Sequence, residues 1–331
     1  MKHIAILVPA GESILGSIEG PYKVFRQANE LLIGMGKPAA FQVELVGCRS
    51  ETVLSGGLFT LRASQTLVSA RCPDLLLIPA PHGDLRQAVA QNQEAIAWIA
   101  RQYAGGAEVA SLCVGAFLLA ATGLLDGRQC ATHWVAAAEF QAMYPAVELV
   151  ADRIITDWQG LYSSGGAYSY LNLILYLLEK YAGRELALMC AKLFEIDVSR
   201  HSQALFSIFQ GLKAHADEPV RRTQEFIEAH VQQRMTVAEL AAQCCLSRRH
   251  FERRFKQATR LPVLEYVQRV KIEAVKQRLE SSQASISEVM WAVGYTDDKS
   301  FRTLFKGITG LTPVEYRAKY GSVKTSHAPK K

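Results

Sequence analysis

The 331-residue sequence has no C-x-x-C pair, and its seven cysteines are an odd number, so neither a disulfide framework nor a zinc site is indicated and a reducing compartment fits best. Long apolar runs are also missing. The most lipid-like stretch, residues 170–178, contains Asn172 and runs into Glu179 and Lys180, far short of the roughly 20 residues of a membrane span. Near the start, the apolar stretch Ile4 to Val8 is too short for a signal peptide and is stopped by Pro9 and Gly11. The expectation is a cytoplasmic protein with no membrane partner, no metal and no cofactor. Strand signals, finally, are absent beyond about residue 219.

What is present divides unevenly along the chain. At 331 residues and 49% hydrophobic, the sequence exceeds what one core usually supports, so two domains are expected. Residues 213–331 hold 22 basic and 13 acidic side chains, an excess of +9, which leaves the preceding residues at −3. Such asymmetry points to a polyanion partner for the basic half. In the first half, short aliphatic runs (residues 4–8, 42–47, 75–78 and 109–112) alternate with helical patterns (22–32, 85–103 and 114–124), the signature of a parallel α/β sheet. Pro21 is placed in the first turn of the first helix. Further helices are expected over 167–181 and 185–195, then a loosening between Val198 and Pro219.

An internal repeat organises the remainder. Residues 236–256 and 286–306 each read as a small helix, a short turn and a second helix. Val237, Leu240, Ala241 and Cys244 line one face in the first copy, with Leu246 in the turn and Ser247 capping a helix that carries Phe251 and Phe255. Ile286, Val289, Met290, Val293, Phe301, Leu304 and Phe305 repeat the pattern. A helix over 264–279, about 24 Å at 1.5 Å per residue, would hold the two second helices about one DNA turn apart.

These residues resemble the AraC/XylS family of DNA-binding domains. The second copy carries Val293-Gly-Tyr, Phe301, Phe305-Lys and Thr309-Gly-Leu-Thr-Pro-Val-Glu-Tyr-Arg317. The first departs: Cys245 stands at the turn glycine, and Arg260-Leu-Pro-Val replaces a Gly-x-Ser-Pro box, which leaves room for a shifted first turn. The resemblance implies double-stranded DNA as partner, read at base edges by Arg249, Glu252, Arg253, Lys299 and Thr303. Arg248, Lys256, Arg302 and Lys306 would hold phosphates, which set register without reading sequence.

The front half is similar to the ThiJ/PfpI superfamily, in the arrangement fused to AraC-type domains in GlxA-like regulators. Gly20-Pro-Tyr-Lys-Val-Phe25, Leu112-Cys-Val-Gly-Ala-Phe117, Gly123-Leu-Leu-Asp-Gly-Arg128, Ala131-Thr-His-Trp134 and Ser164-Gly-Gly166 carry the likeness. It implies a flavodoxin-like α/β sandwich of the class I glutamine amidotransferase kind, followed by the all-α domain with two helix-turn-helix motifs. Cys113 falls at the nucleophile elbow, where a thiol can become reactive. Three departures argue for a non-catalytic domain: Pro81 has no N–H where relatives have an oxyanion donor, Ser17 stands where an acid is expected, and Val114 where proteolytic relatives place His.

The expected organisation is a sensor and dimerisation domain over 1–197, a helical linker over 198–219, a DNA-binding domain over 220–321 and a disordered basic tail over 322–331. Glu19, Cys113, His133 and Trp134 are expected to line a pocket for a small effector, which the resemblance makes a nitrogenous metabolite. It also implies a homodimer that acts as an activator, and leaves RNA polymerase open as a partner. The rival is a cysteine-dependent enzyme, isonitrile-hydratase-like or amidase-like, on Cys113.

Overall fold

The computed structural model describes residues 1–199, 202–209, 211, 213 and 215–321; the tail expected over 322–331 lies outside them. The chain divides into two compact units, Met1–Gln203 and Ala204–Lys331.

The first unit runs β1 (Lys2–Val8), α1 (Gly16–Gly34), β2 (Phe41–Gly47), a hairpin of β3 (Glu51–Leu54) and β4 (Phe59–Arg62), β5 (Gln65–Thr66) and β6 (Leu75–Ile78). Next come α2 (Leu85–Gln91), α3 (Gln93–Ala104), β7 (Glu108–Ser111), α4 (Ala116–Ala120), β8 (Gln129–Cys130) and α5 (Ala137–Met143). It closes with β9 (Glu148–Leu149), β10 (Ile155–Trp158), β11 (Leu161–Ser164), α6 (Tyr170–Ala182) and α7 (Arg184–Leu193). Seven strands form one sheet in the order β10-β11-β7-β6-β1-β2-β5, parallel except for β10 against β11. In register, Ile4 lies beside Val43 and Leu75, and Leu76 beside Val109.

Side chains alternate across a strand, so each buried run feeds two cores. Ile4, Ile6, Leu75 and Leu77 pack with α1, α6 and α7, whereas Ala5, Leu7, Leu76 and Ile78 pack with α3 and α4. This is a flavodoxin-like sandwich, as the motifs implied. It places the carboxyl ends of β6 and β7 together, where open α/β sheets bind ligands.

Three local expectations change. Pro21 lies inside α1, which begins at Gly16. The helix expected over 85–103 is broken at Asn92, because that side chain receives the Ala10 N–H and donates to the Ala10 and Ala88 carbonyls at 2.8–3.0 Å. A buried Asn (1% exposed) thus joins two segments at the cost of helix continuity. Among the described residues of 198–217, the only helical turn is the 3-10 turn Ala204–Phe206, so these residues do not form the expected helix; Gly211, at φ +71°, takes a left-handed conformation.

From Glu218 on, the second unit is built, among its described residues, of helices joined by short turns: α8 (Glu218–Ala229), α9 (Val237–Gln243), α10 (Arg248–Thr259), α11 (Val263–Ser281), α12 (Ile286–Trp291), α13 (Asp298–Thr309) and α14 (Pro313–Tyr320). It holds two separate apolar cores. Phe251, Phe255, Tyr266 and Val270 belong to the first, and Ile272, Val289, Phe301, Phe305 and Tyr316 to the second.

Candidate nucleic-acid interface and ligand cavity

Both helix pairs are built from the same caps. Thr236 with Glu239 and Ser285 with Glu288 form capping boxes at the starts of α9 and α12, and these satisfy otherwise orphaned N–H groups. Ser247 and Asp297 cap α10 and α13. The first-helix caps, Thr236 and Ser285, are one residue closer together in sequence than the second-helix caps, so the second turn is one residue longer. The left-handed turn residue is Cys245 at φ +55° in the first copy and Gly294 at φ +75° in the second. Cys245 therefore holds the conformation the motif demands, against a cost of about 1–2 kcal/mol for a side chain there, and the first turn is not shifted. Arg260 does the same where the second copy has Gly310, at φ +62° against +82°.

On α10, Phe251, Phe255 and Thr259 face the core. Arg249, Arg253 and Lys256 are exposed on the opposite side, with Lys299, Thr303 and Lys306 exposed likewise on α13. Among the described residues no ion pair engages Arg249, Arg253, Lys256, Lys299 or Lys306. Glu252 is instead paired with Arg248 at 3.1 Å, and Arg302 with Asp298 at 2.6 Å. Pairs this exposed are worth about 0–1 kcal/mol, which leaves both arginines exchangeable. Sequence reasoning missed Arg254, whose guanidinium meets Asp217 at 2.5 Å. That carboxylate also caps α8; although burial raises its pKa, the bonds from Arg254 and the Val220 N–H hold it below its ordinary value.

In the first unit Cys113 sits between β7 and α4 at φ +56°, 4% exposed. Its N–H donates to Ser164 Oγ at 3.2 Å, and its carbonyl accepts from Thr132 Oγ1 at 3.1 Å. The turn closes tightly because Gly115 has no side chain: a Cβ there would lie 2.5 Å from the Ile78 carbonyl oxygen. Burial pushes the Cys113 thiol up from its ordinary pKa, which opposes the thiolate a nucleophile requires.

A cavity of about 200 Å³ opens beside the thiol, lined by Ser17, Ala80, Cys113, Ala167, Tyr168 and Tyr170 together with Ile14 and Gly16. Two of its hydroxyls are already engaged. Ser17 Oγ receives the Ala80 N–H at 3.0 Å and donates to the Ile14 carbonyl at 2.7 Å, and Tyr170 donates to the Gly16 carbonyl at 2.5 Å. The hydroxyl at the expected acid position thus occupies the N–H beside Pro81.

Of the four residues expected to line one pocket, Cys113 does. Glu19 is exposed on α1, outside the lining. His133 accepts from the Val135 N–H through Nδ1 at 3.1 Å and rests against Gly166, where a Cβ would collide with the ring; burial lowers its pKa. Trp134 packs beside that imidazole, ring centroids 5.6 Å apart, and is not in the lining either. The two tyrosines were missed because Tyr168 and Tyr170 lead into an apolar helical pattern that reads as core.

The DJ-1/PfpI family model matches residues 4–180. The chain belongs to the DJ-1/PfpI family. A helix-turn-helix domain model matches residues 240–319, so this member of the DJ-1/PfpI family carries its helix pairs as a second domain. It is 25% identical over 229 residues to the HTH-type transcriptional regulator GbdR of Pseudomonas aeruginosa, covering 68% of this chain and 62% of that one; the match thus spans less than two thirds of that relative. It is 24% identical over 233 residues to the HTH-type transcriptional regulator GlxA of Rhizobium meliloti, covering 66% and 67%. A solved structure of a candidate transcriptional regulator protein from Vibrio parahaemolyticus shares the fold, with TM-score 0.52 and 20% identity over 58% of this chain and 98% of that one.

Proposed function

We propose that this protein is a sequence-specific DNA-binding transcriptional regulator, an activator working in the cytoplasm as a homodimer, whose DJ-1/PfpI domain senses a small nitrogenous metabolite without transforming it. The supporting observation is the pair of capped helices α10 and α13, which present unpaired cations on the face opposite their cores. Arg249, Arg253, Lys299 and Thr303 are assigned to bases; Glu252 joins them once Arg248 leaves it for a phosphate. Lys256, Arg302 and Lys306 are assigned to the backbone, and RNA polymerase is the further partner an activator requires.

Reading and positioning are separable. Arg253→Ala is expected to cost about 1–3 kcal/mol and relax preference at one base pair, while Lys306→Ala weakens all sequences alike. Selection on random DNA checks this: identical, unaltered motifs for both variants would show that the two side chains do not divide the work this way.

The cavity beside Cys113 is assigned to the effector. Tyr168 and Tyr170 offer aromatic faces, and among the described residues no charged side chain lines it, which suits a small neutral or cationic nitrogen compound. The elbow conformation of Cys113 favours the enzyme reading, an isonitrile-hydratase-like or amidase-like activity, but the buried thiol and the occupied Ala80 N–H oppose it. A bound effector at a hundredfold excess over its Kd should stabilise the protein by about 2.7 kcal/mol and be recovered unchanged, with Cys113→Ser altering the response only modestly. Multiple turnover of an isonitrile or amide, abolished by Cys113→Ser, would falsify the sensor reading.

A further inference from the structure

The two apolar cores of the second unit share α11 but divide along it. Val270 belongs to the first core and Ile272 to the second, with Lys271 between them. Lys271 is 6% exposed. Its Nζ donates to the Gln233 carbonyl at 2.7 Å and to the Val293 carbonyl at 2.8 Å. Gln233 lies in the turn before α9, in the first helix pair, and Val293 lies in the turn of the second. Neither acceptor is a carboxylate, and burial lowers the amine's pKa; charged or neutral, it has two N–H groups to give.

The backbones meet at the same point. Gly294 approaches the Gln232 carbonyl so closely that a Cβ would collide with it, and the Lys271 amine would be 3.2 Å from that Cβ. Tyr295 adds its ring, 5.5 Å from the amine. An aliphatic side chain at 271 would leave the buried Val293 carbonyl without this donor, a costly state, and would release the Gln233 carbonyl at the edge of the first helix pair.

From this junction we infer that Lys271 is a specificity-positioning residue: by tying the turn before α9 to the turn before α13, it sets the separation of the two DNA-reading helices and so the spacing of half-sites the protein accepts. The inference rests on the DNA-binding reading above. The chain segment Leu205 to Phe209 touches both cores elsewhere on α11, where Lys276 donates to the Ser207 carbonyl at 2.6 Å and Glu273 accepts from the Phe209 N–H at 3.2 Å. Glu273 is two residues from Lys271, about 200° around the helix, so that contact survives when Lys271 is changed.

The test uses the full chain and a DNA site selected by it from a random library, then altered by inserting or deleting 1–3 base pairs between the half-sites. Wild type should bind the selected spacing about tenfold better than the altered ones. Lys271→Met should reduce that preference to about twofold while each half-site keeps its base preferences, and Lys271→Arg, which retains two donors, should restore most of it. If Lys271→Met does not fold, Lys271→Gln carries the same expectation at a smaller size. A folded variant with wild-type spacing preference overturns this inference alone. Failure of the wild type to select any sequence overturns the DNA-binding reading, and this inference with it.

Discussion

Raising the salt from 50 to 200 mM should cut the affinity of the full chain for its DNA site by roughly 10³–10⁵. Each phosphate neutralised releases counterions, and log K falls with log salt at a slope of about −0.9 per contact. Arg248, Lys256, Arg302 and Lys306 alone give a slope of about −3.6 and a hundredfold loss over that range. The +9 excess of residues 213–331, and the proposed placement of two helices in successive grooves, would bring the count towards the six to ten contacts of the larger figure. The measurement is the logarithmic salt slope from fluorescence anisotropy; a slope shallower than about −2 would remove the phosphate assignment.

Truncating Phe305 should unfold the second helix pair's core. The ring is fully buried and meets Tyr316 edge-on at 5.5 Å and Phe301 at 6.1 Å. Removing a buried aromatic costs about 3–5 kcal/mol through lost transfer and the cavity left behind. Thr303→Ala, on the exposed face of the same helix, should stay within about 0.5 kcal/mol of wild type. Urea denaturation compares them directly. A Phe305→Ala loss below about 1 kcal/mol would mean that this core does not support α13. Because Phe255 lies in the other core, Phe255→Ala should damage the first helix pair independently.

Local signals made much of the architecture legible. Strands β1 and β6 carry short uninterrupted aliphatic runs, β2 alternates apolar with polar residues as a strand does, and the helix-turn-helix copies carry their caps, Thr236, Ser247, Ser285 and Asp297, in the sequence itself. Strands β10 and β11 were not legible, since Ile155–Trp158 and Leu161–Ser164 include Asp, Ser and Thr with weak apolar patterning. They exist because β11 extends the parallel sheet beside β7, and β10 closes its edge.

The interface and the cavity divide in the same way. Which helices carry cations opposite a phenylalanine face follows from 3.6-residue periodicity, so α10 and α13 and their charged positions were determined by sequence. That Glu252 pairs with Arg248, and that Cys245 and Arg260 accept left-handed backbone, depends on side-chain geometry and on a turn whose shape the packed helices impose. The cavity depended on tertiary structure most of all. Cys113 was visible as an elbow, but Ile14, Ala80, Tyr168 and Tyr170 come from three further stretches of chain, and Glu19, His133 and Trp134 adjoin the motifs without entering the lining. Lys271 reads in sequence as one more basic residue on a helix. Only the folded chain, by placing the Gln233 and Val293 carbonyls within 3 Å of its amine, makes it a tie between two cores, because a buried carbonyl deprived of water must find a donor wherever the packing brings one.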